Sequence, residues 1–314
     1  MEGLEVRLAR AVCRGDRQAA ARLISLVERN SPEGDAALRL IRSAIGRAHV
    51  VGLSGPPGSG KSTLARALTQ FWRRQGWKVG ILAIDPSSPR SGGAFLGDRA
   101  RLADLAGDPG VFVRSMASRG ETGGLAAAAA DAVDVLDALG CDVILVEAVG
   151  GGQADVDIAA LAQTVVVVQV PGLGDDLQVL KAGLVEVADI LVVNKADLPG
   201  AEEVETRLRS LPSPGEVGWQ APVVRTVATT GEGAGALAAA LAEHRAASLA
   251  SDTTSAPRLA AVRRSLLALV SRRFLGQLLK KVGEDELNRL ARGVQRRQIG
   301  ASQAADELLA HGQR

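Results

Sequence analysis

The sequence predicts an α/β fold: a mostly parallel sheet flanked by helices, with further helices at both ends of the chain. Three observations predict it. From His49 onward, short apolar runs alternate with helical stretches, the alternation that βαβ units produce. Hydrophobic residues make up 46% of the 314-residue chain, yet aromatics are only 2% and tyrosine is absent. The core is therefore built from Ala, Val, Leu and Ile, the composition of buried parallel strands under Ala/Leu helices. Outside the alternating region, apolar residues recur at helical spacing without strands between them.

Taken in order, Leu4, Leu8 and Val12 mark a first helix, and Gly15-Asp16 breaks and recaps the chain. A second helix carries Leu23, Leu26 and Val27 and ends at Asn30-Ser31-Pro32; a third is expected from Asp35 to about Arg47. Strands are read at HVVGLS from His49, VGILAI from Val79, VFV from Val111, DVILVE from Asp142, TVVVVQV from Thr164, DILVV from Asp189 and PVVRT from Pro222. The small polar stretch Ser248–Pro257 reads as a linker. Beyond it, Leu259, Val262, Leu266, Val270, Phe274, Leu278 and Val282 line one face of a long helix, and two shorter helices are expected around Leu287–Val294 and Ser302–Ala310. Such a stripe serves equally to dock the helix on its own domain or to pair it with a second subunit. The expected division is an N-terminal helical extension at 1–47, an α/β domain at 48–247 and a C-terminal helical segment at 256–314.

Net charge is +2. Nucleic acid or an anionic membrane surface would call for a stronger basic bias, so neither is expected as a partner. Cys13 and Cys141 stand far apart, with neither disulfide nor metal-ligand spacing. The first residues carry Glu2 and Glu5 and lack the apolar core of a targeting peptide. No apolar run approaches the roughly 18 residues of a membrane span. These readings give an expected cytoplasmic location.

Gly55-Pro56-Pro57-Gly58-Ser59-Gly60-Lys61-Ser62 fits G-x-x-x-x-G-K-[ST], follows an apolar strand and opens a helix at Thr63. Glycines let successive backbone N–H groups converge on a phosphate, and the helix N-terminus adds its positive end. In that arrangement Lys61 bridges the β- and γ-phosphate oxygens and the Ser62 hydroxyl ligates Mg²⁺. A second carboxylate for the metal or the attacking water is needed nearby. Asp85 ends one apolar strand and Glu147 another, so both emerge at the same sheet edge. Glu147-Ala148-Val149-Gly150 has the acidic-x-x-Gly form, in which the Gly150 N–H can sense a γ-phosphate. The Ser/Gly/Pro-rich segment from Asp85 to Leu102 is expected to cover the phosphates, with Asp98 its candidate carboxylate.

Asn194-Lys195-Ala196-Asp197 follows a strand and fits N-K-x-D. Guanine presents two adjacent donors, N1–H and the N2 amine, and one ionised carboxylate accepts from both. Adenine lacks that pair, so Asp197 is expected to give about 10- to 150-fold preference for GTP, from roughly 1.5–3 kcal/mol for a charged hydrogen bond. The Lys195 stem lies along the base in this reading and Asn194 ties the loop to the phosphate loop. Val227-Ala228-Thr229 are placed to offer backbone N–H to guanine O6.

Together GPPGSGKSTL, AIDPSSPRSGGAFLGDRARL from Ala83, VFVRSMASRGETGGLA from Val111, DVILVEAVGGGQADVDIA, VPGLGDDLQVLKAG from Val170 and EVADILVVNKADL from Glu186 resemble the MeaB/ArgK family over nearly the whole chain. The DPSSPxxGGxxLGD stretch separates that family from other P-loop proteins. The resemblance implies a P-loop GTPase acting as chaperone for an adenosylcobalamin-dependent acyl-CoA mutase such as methylmalonyl-CoA mutase, slow without its partner and dimeric through the C-terminal helices. It implies phosphate and Mg²⁺ contacts from Lys61 and Ser62, metal or switch carboxylates at Asp85, Asp98 and Glu147, and base reading by Asn194 and Asp197. Gln153 and Lys181 are the candidates for positioning the attacking water. Three other classes compete: a P-loop kinase linked to amino-acid transport, a metal-delivery GTPase, and a signal-recognition-type targeting GTPase, which needs a Met-rich groove whereas this chain has two Met in total. NKAD argues against an ATP-using kinase. The metal-delivery class needs Cys/His clusters, whereas this chain has two separated cysteines and three scattered histidines, His49, His244 and His311.

Overall fold

Each of the seven apolar runs forms a strand of one sheet, in the order β3-β2-β4-β1-β5-β6-β7. The strands are β1 His49–Ser54, β2 Val79–Asp85, β3 Val111–Ala117, β4 Val143–Ala148, β5 Thr164–Gln169, β6 Ile190–Asn194 and β7 Val223–Thr226. Every pairing is parallel, which sharpens the expected mostly parallel sheet. This computed structural model describes residues 2–85, 103–105, 107–117, 124–148, 158, 160–172, 188–211, 219–250 and 256–313. Asp98, Gly150, Gln153 and Lys181 lie outside the described residues, as does the side chain of Asp85.

Among the described residues the helices are α1 Leu4–Cys13, α2 Arg17–Glu28, α3 Pro32–Ile41, α4 Lys61–Arg74, α5 Gly124–Ala138, α6 Ala201–Arg209, α7 Ala234–Ala250, α8 Ala256–Val282, α9 Glu284–Gln295 and α10 Ala301–Gln313. Asp16 caps α2 by accepting from the Gln18 and Ala19 N–H groups at 2.8 and 3.0 Å. The third helix starts earlier than expected. Ser31 and Pro32, read from sequence as the end of α2, instead open α3: Ser31 Oγ accepts from Gly34 N–H at 3.0 Å and Pro32 occupies the first turn. The helix also ends sooner, at Ile41, passing into a 3₁₀ turn at Arg42–Ala44.

The strands alternate sides as their period of two demands. Val50 faces a core with α1, α2, α3 and α5, while Val51 and Leu53 face the opposite core with α4 and α7. On β5, Val166 and Val168 join that second core, and Val165 and Val167 pack with Ala201 and Leu208 of α6. Fully burying one such side chain contributes about 1.5–3 kcal/mol, so the aliphatic layers dominate stability.

The chain divides into two compact units, Met1–Arg263 and Arg264–Arg314. The second carries its own small core, with Leu278, Leu290 and Ala304 buried. Arg289 joins Glu286 of α9 at 2.7 Å and Glu307 of α10 at 3.3 Å. Along α8, Leu259, Leu266, Val270 and Phe274 are more than half exposed. Among the described residues no helix is long and apolar enough to cross a membrane.

Candidate nucleotide site

Parallel strands send all their C-terminal ends to one edge, and there the described P-loop, Glu147 and Asn194 meet. The loop after β1 carries Gly55 to Gly60, β4 carries Glu147, β6 ends at Asn194 and β7 leads into Val227. β1 lies between β4 and β5 in the sheet, so the phosphate loop has Glu147 on one side.

Gly55, Gly58 and Gly60 all take positive φ, at 141°, 78° and 87°, backbone that a side chain would strain. At Gly60 there is a second reason: a Cβ would stand 2.5 Å from Asn194 Nδ2. A Cβ on Gly58 would meet nothing within 4 Å, leaving room beside the loop. Helix α4 opens at Lys61 with no side chain capping its first turn. Its N–H groups and dipole end are the elements that hold an anion. Lys61 is buried, and its Nζ donates to Gly55 O at 2.8 Å and Pro56 O at 3.1 Å. The ammonium is thus fixed across its own loop. Thr63 follows within the first turn of α4.

Ser62 Oγ donates to Glu147 Oε1 at 2.6 Å, and both residues are buried. Residues 85 positions apart are brought together by β4 lying beside β1. A hydroxyl backed by a carboxylate is a hard-oxygen pair that suits Mg²⁺, so these groups fit the implied cation. Asp85 ends β2, one strand beyond β4 from the phosphate loop, with Ile84 in register with Ala148.

The base end is organised by Asn194, which is 1% exposed. Its Nδ2 donates to Ser59 O at 2.8 Å, while its Oδ1 accepts from Thr226 Oγ1 and Ala228 N–H, each at 3.1 Å. One amide therefore joins the base-reading loop, the phosphate loop and β7. Lys195 sits at φ 55° and its Nζ donates to Gly58 O at 2.9 Å, a second tie to the phosphate loop. Leu198 N–H closes a turn on Lys195 O, and Asp197 within that turn is exposed.

The loop after β7 is tied down by its own backbone donors. Val227 N–H donates to Glu232 O at 3.0 Å and Ala228 N–H to Asn194, so both are already engaged. Thr229, the third expected O6 donor, is exposed. Thr226 is the residue that sequence reasoning missed: its hydroxyl braces Asn194, and its position at the end of β7 was the available signal.

The family model described as "Methylmalonyl Co-A mutase-associated GTPase MeaB" matches residues 20–283. A chain from Pyrococcus abyssi, whose name places it provisionally among GTPases, is 46% identical over 301 residues, covering 94% of this chain and 93% of its own. A mouse protein named methylmalonic aciduria type A homolog, mitochondrial, is 36% identical over 215 residues, 66% of this chain and 52% of that one. Among solved structures, one described as an LAO/AO transport system kinase superposes with a TM-score of 0.67 over 100% of this chain and 99% of the other. At 24% identity it supports the P-loop fold alone. The family model covers most of the chain, and the phosphate loop and the N-K-x-D loop stand on one sheet edge: this protein is a GTPase of the MeaB family.

Proposed function

We propose that this GTPase is a chaperone that gates cofactor loading or protection of an adenosylcobalamin-dependent acyl-CoA mutase. The observation that carries the reading is the family description, which names association with methylmalonyl-CoA mutase, over residues 20–283. In this role hydrolysis is a timer. The P-loop amides and Lys61 hold the β- and γ-phosphates, and Asn194, Lys195 and Asp197 hold guanine. Thr229 N–H reaches O6. Ser62, backed by Glu147, would hold Mg²⁺, with Asp85 and Asp98 as further carboxylates; the bound ion would neutralise charge on the phosphate oxygens. Gln153 and Lys181 are assigned to water positioning, and Gly150 to sensing the γ-phosphate.

The homodimer belongs to the same proposal. It is supported by Leu259, Leu266, Val270 and Phe274, apolar residues left exposed along α8. A cytoplasmic location is part of it as well. The test combines the full-length protein with purified methylmalonyl-CoA mutase. The proposal expects co-elution in the presence of a non-hydrolysable GTP analogue and at least a tenfold rise in GTP turnover. Separate elution with unchanged turnover would contradict it.

A further inference from the structure

At the opposite edge of the sheet, residues at the starts of three strands and one residue of a helix share a buried polar cluster. His49 starts β1, Thr164 starts β5, Asp189 precedes β6 and His244 lies on α7. All four are at most 4% exposed. Thr164 Oγ1 lies 2.8 Å from His49 Nε2 and 2.8 Å from His244 Nδ1. His244 Nε2 stands 3.2 Å from Asp189 Oδ1, close enough for charge attraction though off the hydrogen-bond axis. Asp189 Oδ2 accepts from Val165 N–H at 2.8 Å, and Trp219 donates to Asp189 O at 2.8 Å while its ring meets His244 edge-on at 4.9 Å.

Asp–His–Thr is the connectivity of a hydrolase triad, but this hydroxyl is fully buried and bonded on both sides. Its consequence is proton order. Thr164 has one O–H and two acceptor lone pairs, so at most one imidazole can accept from it and at least one must donate to it. Asp189 draws the N–H of His244 to Nε2, which leaves Nδ1 as acceptor for Thr164 O–H. The Thr164 oxygen then accepts from His49 Nε2–H. The order His49 to Thr164 to His244 gives each ring nitrogen facing Thr164 a defined role, with Asp189 beside the far side of His244.

We propose that these four side chains form a proton-ordered clamp that fastens α7 to the N-terminal edge of the sheet and holds His49 as a neutral ring in the folded protein. The charged and titratable groups facing His49 are Arg245 and His244 from α7 and Asp189 from the start of β6. Burial, then Arg245 and His244, push the His49 pKa down to about 3, with Asp189 opposing them. The sign follows. A histidine depressed in the folded state contributes its stability above about pH 6.5 and loses it as pH falls towards 3. Each pH unit in that window raises the unfolding constant about tenfold for one proton. The six residues of β1 span roughly 20 Å, so the nucleotide end is remote from this edge.

The test has two readouts. Long-range ¹H–¹⁵N spectra of the wild-type protein at pH 7.5 should show His49 and His244 as Nε2–H tautomers. His49 should then stay neutral down to pH 5.5. Urea unfolding from pH 7.5 to 5 should show a steeper acid loss in the wild type than in His49→Gln, which keeps an N–H donor for Thr164 but cannot titrate. The difference should approach tenfold in the unfolding constant per pH unit, with GTP affinity at pH 7.5 unchanged. An Nδ1–H tautomer at His49, or equal acid slopes in the two proteins, would overturn the clamp. If His49→Gln fails to fold, the wild-type spectra decide alone.

Discussion

The two edges of the sheet use the same device, consecutive backbone N–H groups around an anion, but fill it differently. At the N-terminal edge the carboxylate of Asp137 on α5 takes the N–H groups of Gly46, Arg47 and Ala48. The chain supplies its own anion there. At the C-terminal edge, Gly55 to Gly60 and the uncapped start of α4 form a similar concavity, with no side chain capping that helix. A phosphate completes it. The difference teaches where stability and function separate: polar groups satisfied from within fix the fold, and those left for a ligand make the site.

That contrast can be broken most severely at Asp137. Replacing Asp137 by Ala leaves three N–H groups without their acceptor and should cost about 3–5 kcal/mol in urea unfolding. The GTP affinity of the remaining folded protein should change little. Asn194→Ala attacks the other edge. It removes bonds to Ser59, Thr226 and Ala228, so calorimetry should show GTP binding weakened at least tenfold, with a smaller stability loss of about 1–3 kcal/mol.

A gentler change sharpens the comparison through pH. Burial, then neighbouring Asp137, push the pKa of Asp134 on α5 up to about 6, with Arg42 opposing. An acid raised in the folded state contributes stability below about pH 3.8 and loses it as pH rises through 6. Asp134→Asn should therefore stabilise by about 1–2 kcal/mol at pH 7, allowing for its partial exposure, and by nothing at pH 4. The smallest expected effect is at Ser59, whose buried Oγ has no hydrogen-bond partner among the described residues. Ser59→Ala should leave thermal stability equal or raised by up to about 1 kcal/mol, because it removes an unsatisfied buried hydroxyl. A clear loss would show that this hydroxyl is engaged.

The strands were legible because each is a short apolar run between polar breaks, and the phosphate loop because its parts are consecutive. Glu147 beside Ser62 was legible only through the rule that parallel strands end at one edge. Ser31-Pro32 misled because Pro both stops one helix and suits the first turn of the next. The clamp was invisible for a different reason. His49 and His244 look scattered in sequence, and only the adjacency of β1, β5 and α7 brings them to one threonine. The engagement of Val227 and Ala228 N–H was likewise hidden, since backbone bonds across a loop leave no mark in side-chain type.

The central claim is that an exposed carboxylate at Asp197, held on a loop tied to the phosphate site, selects guanine. Its most direct test is the binding of GTP, ATP and xanthosine triphosphate to the wild-type protein and to Asp197→Asn, measured in one titration series. The account predicts that the wild type prefers GTP over ATP by about 10- to 150-fold. In Asp197→Asn the preference should move to xanthosine triphosphate, whose C2 oxygen accepts from the new amide. Equal GTP and ATP affinity in the wild type, or an unchanged GTP preference in the variant, would contradict it.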